Sequence, residues 1–444
     1  MKRIISLLIC AMLLLTMFAG CARQAAENKP DGQAKTTVAD SKPEDTKSAE
    51  VKEPTTLKFW TLEMDNMGGY LDGFVDRFNA ANSDIKVEAT IIPGTAADFE
   101  TKLNAAKMSG LTPDCVYIVL SSLAPWGSRG EFLILDDYIA KWDQRADFLD
   151  SAIEMGKVGG KYMGLGVYPA PVEFVYRKDM FEAAGLDPAK PPKNWEELKE
   201  YAVKLTKKDA KGNIIQAGLD IPTIDFFLNI SEPFMLMNGA QVIDEVNMKP
   251  MLTEPAVIET LEYLYSLVKE GVSLPHDWQK KETMPFMNGM GAMAFLQVQD
   301  IKNLLKNKPE LDGKVLFGSP IQNKKAASFC GYRLFSIMKD TKYADQSWKL
   351  MDAFCSKEEM KIRVDDWGVI PVRKSLQDLY IQKDIEVNKI IIETVAAGKG
   401  AFSIPWVNIL YKYYSVAYES IMQGKVTPAE AMKTAQEQIL AEIQ

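Results

Sequence analysis

The sequence has one histidine, His276, and five cysteines in 444 residues. A single histidine makes a histidine-rich zinc site impossible. It also leaves no second histidine to support a Ser-His-Asp or Cys-His centre. Cys10 and Cys21 lie near the amino terminus. The other three, Cys115, Cys330 and Cys355, are too few and too widely spaced for a disulfide framework. The chain lacks a GxxxxGK(S/T) loop, a GxGxxG turn, an HExxH helix, a GxSxG elbow and a CxxC pair. No cofactor or metal is therefore expected. Beyond residue 20 no apolar run approaches the twenty residues of a membrane span. Basic residues are outnumbered, 52 to 60, for a net charge of −8. That balance argues against nucleic acid or an anionic membrane surface as the partner.

Some chemistry stays open. A pair of carboxylates can hydrolyse a glycoside, and 60 acidic residues offer many pairs. The visible aspartate doublets are Asp136-Asp137 and Asp365-Asp366. Neighbouring side chains diverge on a strand or a helix, so both doublets read as solvated charge or caps. His276, in "LPHDWQ", reads as a surface or packing residue, and Cys115 as a small buried hydrophobe.

The amino terminus carries its own signal. Lys2 and Arg3 precede an apolar stretch, Ile4 to Phe18, that is too short to span a bilayer comfortably. Small Ala19 and Gly20 follow, then Cys21. The stretch Phe18-Ala19-Gly20-Cys21 resembles the lipobox of a bacterial lipoprotein, with Phe18 where leucine is usual. The resemblance implies a signal at 1–20, a mature chain starting at a lipidated Cys21, and an address on the extracellular face of the cell membrane. Loss of Lys2 and Arg3 with that signal takes the net charge down by two, to −10. Residues 21–54 have no aromatic, leucine or isoleucine. They cannot bury enough surface to fold, and read as a disordered tether with an r.m.s. span of about 30 Å.

The remaining body is too long for one ordinary core, so two lobes are expected. "TLKFW" predicts a strand with Leu57 and Phe59 on one face. Leu71, Phe74, Val75 and Phe78 fall on one helical face. "DIKVEATIIPG" alternates as a second strand. "DFETKLNAAKMSG" predicts a helix stopped by Gly110, and "PDCVYIVL" a strand covered on both faces. Strand, helix, strand, helix, strand within about sixty residues means βαβ units and a parallel sheet. Further on, "PKNWEELKEYAVKLTKKD" predicts an amphipathic helix, "GAMAFLQ" and "GKVLFGSPI" strands. Thr253 is a candidate helix cap. "TPAEAM" predicts a helix start, with Thr427 as N-cap, Pro428 at N1 and Glu430 at N3. The fold class is α/β.

Aromatics cluster near glycine, proline and turns: Trp60, Trp126, Tyr168, Trp278, Tyr332, Trp367 and Trp406. A ring on a loop suits either anchoring or the C–H face of a pyranose, with nearby amides and carboxylates taking hydroxyls. Trp142, Trp195 and Trp348 sit in helical patterns and read as packing.

The order of segments resembles the extracellular solute-binding lipoproteins of bacterial ABC importers that serve sugars and oligosaccharides. The segments carrying the resemblance are "LKFWTLE", "FNAANSDIKVEATIIPG", "KLNAAKMSGLTPDCVYI", "GEFLILDDYI" and "GKYMGLGVYPAPVEFVYRKDMFEAAGLDPAKPPKNWEELKEYAVKLT". Later come "FMNGMGAMAFLQVQDI", "WGVIPVRKS" and "GKVTPAEAM". It implies a periplasmic-binding-protein-like fold with two α/β lobes, crossing hinge segments and a ligand cleft. The expected limits are 55–165 plus 284–335 for one lobe and 166–283 plus 336–444 for the other. It also implies a monomeric, non-enzymatic binder that captures a carbohydrate and delivers it to ABC transporter permease subunits. A surface-anchored glycoside hydrolase and a binder of a non-sugar solute are the alternatives.

In open parallel sheets ligands bind beyond the carboxyl ends of the strands. Trp60, Glu63 and Trp126 are placed there. Tyr168 and Glu173 straddle the apparent crossover. The resemblance adds Asp225, Gln297 and Gln299 as polar contacts, and Tyr332 and Arg333 on a return strand where small residues are usual. Arg333 can fork onto a uronate carboxylate or hold an interlobe ion pair. Trp367 and Trp406 complete the expected set.

Overall fold

The computed structural model describes residues 53–63, 69–225, 230–244, 247–400 and 402–443. The expected signal, the lipidated Cys21 and nearly all of the tether lie outside the described residues.

The expected βαβ order forms. Strands β1 (Thr55–Leu62), β2 (Ile85–Ile92) and β3 (Cys115–Val119) run parallel, with β1 between the other two. The helix Tyr70–Ala81 buries the stripe Leu71, Phe74, Val75 and Phe78. The helix Ala96–Met108 opens on a reciprocal cap between Thr95 and Asp98. Gly110, at φ +70°, carries the chain out of it in the left-handed region that glycine enters without strain. β3 is buried on both faces up to Val119, and Cys115 is fully buried. The same sheet also holds β4 (Leu165–Arg177), β5 (Met293–Gln297), β6 (Val315–Gly318), β7 (Ser328–Ile337) and the two-residue β8 (Gly398–Lys399), which pairs with the start of β7. The sheet order is β2-β1-β3-β7-β4-β5, with β6 also paired to β4.

Two helix starts separate good and poor expectations. Thr427 and Glu430 cap each other reciprocally at the start of Pro428–Ile443. Thr253 does not cap Pro255–Glu270, because Pro255 sets N1 and puts Glu254 at the cap position. The Thr253 N–H donates instead to Gln436 Oε1 at 3.3 Å.

Two hydrophobic cores share this sheet. One takes buried residues from Leu57 to Val167 and from Cys330 to Val395. The other takes Val172 to Phe329 and Phe402 to Ile439. These limits differ from the expected 284–335 and 336–444. β5 pairs antiparallel with Val172–Tyr176 and so belongs to the second core. The helices Ala344–Phe354 and Lys357–Trp367 bury Leu350, Phe354, Met360 and Val364 in the first. Among the described residues, no helix is long and apolar enough to cross a membrane.

Candidate functional site

The chain passes between the cores three times: from Val167 to Val172 along β4, from Phe329 to Cys330 along β7, and between Val395 and Phe402. The first two passages pair antiparallel, Arg333 with Tyr168, Tyr332 with Pro169, Gly331 with Ala170 and Cys330 with Pro171, and the register shifts beyond Arg333. Pro169 and Pro171 have no N–H, so this ladder has few donors where it crosses. The third passage runs close by. A Cβ on Gly398 would strike Cys330, and one on Gly400 would lie 2.5 Å from Leu120 Cδ2 and 2.6 Å from Met155 Sδ.

Glu173 sits on β4 just beyond the crossing and is fully buried. Its Oε2 accepts from Thr394 Oγ1 at 2.7 Å, while Oε1 has no hydrogen-bond partner. Burial pushes its carboxyl up to about 8, against the Thr394 bond. Cys330 and Tyr380 face it electrostatically. Thr394 lies in the last turn of the helix Ile385–Ala397 that leads into the third passage, so this carboxyl links the first passage to the third. A narrow pocket lined by Val172, Phe174, Pro233, Ser328 and Thr394 lies alongside.

Acids recur in the second core. Asp220 is buried, accepts from the Phe286 N–H at 2.9 Å, and is pushed up to about 8 by burial. Asp225 is buried and accepts from the Ser231 N–H at 2.9 Å and Oγ at 2.6 Å. Glu232, on the helix Ser231–Met237, is 1 % exposed and neither of its oxygens has a hydrogen-bond partner. Burial raises its pKa well above the carboxylate range. Lys399 opposes that shift, and Asp225 adds to it.

The expected residues divide. Tyr168 and Arg333 are brought together, opposite each other and only partly buried, at the carboxyl end of β3, where Arg333 also pairs with Val119. Glu63 is exposed just past β1. Trp60 lies mid-strand opposite Thr90 and Val116 and packs partly against the first core. Gln297 ends β5 opposite Val172, and Gln299 is exposed and donates to Asn303 Oδ1 at 3.0 Å. Trp367 meets the Tyr70 ring edge-on at 5.3 Å, and Trp406 packs against the second core.

Two of the expected residues are enclosed. Trp126 is not on a loop. The helix Leu120–Ser128 runs through Pro125, and Trp126 is 2 % exposed beneath Arg129, whose guanidinium lies 4.8 Å from the ring centre. Proline and glycine in "APWGSRG" imitate a loop signal. Tyr332 is 3 % exposed in the first core, its hydroxyl 3.4 Å from Ser151 Oγ. Neither ring has a face left for a sugar. Trp278 is also buried and donates Nε1–H to the Phe295 carbonyl. His276 is a packing residue, with Nδ1 2.8 Å from the Leu274 carbonyl and its pKa lowered by burial. Trp195 packs as expected, stacked on Tyr263 at 4.3 Å.

The sequence reading passed over Glu232, Thr394 and Lys399. The one available signal was an acid inside the apolar run "ISEPFMLM". A separate depression of about 450 Å³ lies between the helices Asp136–Ala140 and Ala344–Phe354. Its rings and acids satisfy each other: Trp142 Nε1 donates to Asp352 at 2.7 Å and the Tyr138 hydroxyl to Asp345 at 2.6 Å.

A model of the bacterial extracellular solute-binding protein family matches residues 73–390. The sn-glycerol-3-phosphate-binding periplasmic protein UgpB of Escherichia coli is 23% identical over 415 residues, covering 86% of this chain and 91% of UgpB. Three solved structures share the fold. One is an ABC transporter solute-binding protein of Thermotoga lettingae bound with α-D-tagatose, with TM-score 0.72, 20% identity, and 88% and 100% of the two chains covered. Another is the sugar-binding protein MalE of Xanthomonas citri, with TM-score 0.75, 19% identity, and 87% and 98% covered. The third is a substrate-binding protein of Listeria monocytogenes in complex with cycloalternan, with TM-score 0.72, 22% identity, and 88% and 99% covered. These likenesses establish the two-lobed α/β fold of periplasmic binding proteins.

Proposed function

This chain belongs to the bacterial extracellular solute-binding protein family, and we propose that it captures a sugar or oligosaccharide between its lobes and delivers it to an ABC transporter permease. The observation that carries the reading is the pair of cores joined by three passages, with Tyr168 and Arg333 partly open at the carboxyl end of β3. Parallel strands leave their ligand crevice at that end. Two of the structural relatives named above hold tagatose and cycloalternan in complexes of the same fold. The lobes follow the cores rather than the expected limits, with the passages as hinges. The body works as a monomer and is held at the extracellular face of the membrane by a lipid on Cys21. It binds without catalysing a reaction.

Thermal melts against D-tagatose, maltotetraose, mannotriose and sn-glycerol 3-phosphate test this, since a ligand that binds only the folded state raises the melting temperature. Titration calorimetry on each hit gives stoichiometry, and chromatography of the recovered sugar shows whether it was cut. A carbohydrate bound one to one and recovered intact is the expected result. Cleaved product, or a response to glycerol phosphate alone, overturns the reading.

A further inference from the structure

The depression between the helices Asp136–Ala140 and Ala344–Phe354 lies against the first core, and none of the residues lining it is on β4, β7 or the third passage. Three aromatic rings line it: Tyr138, Trp142 and Trp348. Tyr138 stacks on Trp348 with ring centres 5.1 Å apart, and Trp142 meets Trp348 edge-on at 5.9 Å. Trp142 is buried, whereas Tyr138 and Trp348 are half-buried and keep surface in the depression.

This aromatic wall is fixed from behind. Asp352 Oδ1 accepts from Trp142 Nε1 and from Gln144 Nε2, each at 2.7 Å. Gln144 Oε1 in turn accepts from the buried guanidinium of Arg373. The Tyr138 hydroxyl donates to Asp345 Oδ1 at 2.6 Å. Groups already locked in place lose little freedom when a ligand binds.

The charge of the depression is one-sided. Asp137, Asp143, Asp345 and Asp352 line it against Lys141 alone. The bonds to Asp345 and Asp352 use only Oδ1 of each. Asp137 and Asp143 are exposed, and their side chains make no hydrogen bond or ion pair among the described residues. Among the described residues no group of three acids, histidines or cysteines is placed to hold a metal ion. These carboxylates stand around the rings instead of converging on one point.

We propose that the depression is a second ligand site, separate from the crevice between the lobes, and that it takes a small alkylated ammonium ion. The positive charge faces the carboxylates, and the alkyl groups cover the rings, whose faces attract a cation. A neutral sugar suits it less. The Trp142 N–H and the Tyr138 hydroxyl are already given to carboxylates, and a sugar leaves the excess negative charge uncompensated. The volume, about 450 Å³, lies within the range of small-molecule sites.

Choline is the probe, read by tryptophan fluorescence and by calorimetry at low ionic strength. Its uncharged isostere, with carbon in place of nitrogen, is the control. Expected is saturable binding of choline at one site, with the isostere about tenfold weaker. Trp348→Leu should weaken choline about tenfold. Asp137→Asn with Asp143→Asn should weaken it roughly threefold and leave the melting temperature unchanged, because neither acid bonds to the fold. If the leucine variant does not fold, the double asparagine variant decides alone. No saturable binding of choline, equal binding of the isostere, or a choline affinity that the folded variants leave unchanged overturns the proposal. So does competition between choline and a carbohydrate, which would put choline in the crevice. Failure of every carbohydrate to bind overturns the solute-capture reading and leaves this site to be decided by its own variants.

Discussion

Glu173 makes the stability of this protein depend on pH in a way that can be computed in sign and size. Its carboxyl ionises near 4.5 in an unfolded chain and near 8 in the folded one. Between those values the folded state keeps a proton that the unfolded state has lost. The unfolded state therefore binds fewer protons, and stability falls as pH rises. The contribution is fully present below about pH 4.5 and is lost as pH climbs through 8. Each pH unit within the window costs about 1.36 kcal/mol, so pH 5 to 8 costs on the order of 3–4 kcal/mol from this group. Glu173→Gln removes the titration and keeps the geometry. A glutamine oxygen can still accept from Thr394 Oγ1, and its NH2 points where Oε1 lacks a partner.

The assay is a melt of wild type and variant at half-unit intervals from pH 5 to 9. The two should melt alike near pH 5 and diverge as pH rises, the variant ending several degrees higher at pH 8. Asp220 titrates in the same window and stays in both proteins, so a residual slope is expected in the variant. A constant gap between the two curves would refute the reasoning, and so would a wild type that gains stability from pH 5 to 8. Either result would mean that the carboxyl is ionised in the folded state and has found a partner.

Trp126→Ala should cost about 3–5 kcal/mol, seen as an early melt, and leave affinity for the best carbohydrate nearly intact, because the ring is enclosed in the first core. Arg373→Ala should cost about 3–5 kcal/mol, since its guanidinium is buried and bonds the Cys355 carbonyl at 2.6 Å and Asp147 at 2.9 Å. Urea melts read this directly. Cys21→Ser should leave the melt unchanged, abolish fatty-acid labelling and release the protein from membranes. Equal labelling of both forms would remove the anchor. Ligand should reduce the radius of gyration in small-angle scattering as the lobes close on it, and no change at saturation would count against a moving hinge.

The repeating parts of the fold were readable because each is specified locally. The stripe Leu71, Phe74, Val75 and Phe78 buries as spaced, and Thr427 with Glu430 caps as written. Core membership was not readable. It depends on which strands pair at long range, and β5 pairs with a strand about 120 residues earlier in the chain. The aromatic signal failed for a related reason. Trp126 and Tyr332 sit next to glycine or proline as a loop ring would, yet tertiary packing encloses both. Glu232 was passed over because an acid announces its lack of a partner only when its neighbours in space are known.

The buried charges of the two cores are of different kinds. In the first core they are arginines held by carbonyl oxygens: Arg363 donates to the Phe354 carbonyl at 2.6 Å, and Arg373 to that of Cys355. A cation bound to backbone carbonyls clamps loops and helix ends, although Arg363 Nη1 has no hydrogen-bond partner. In and beside the second core the buried charges include acids, and Glu173, Asp220 and Glu232 retain acceptor atoms that no group of the protein uses. Water reaches none of them easily. A solute rich in hydroxyls can supply such donors, but only where the chain lets it approach. The passages between the cores combine a ladder thinned by Pro169 and Pro171 with close packing at Gly398 and Gly400, where a Cβ would clash. Glu173 and Glu232 both lie against those passages. The unused acceptors thus fall in and beside the second core, whereas the buried arginines of the first are bonded to backbone carbonyls.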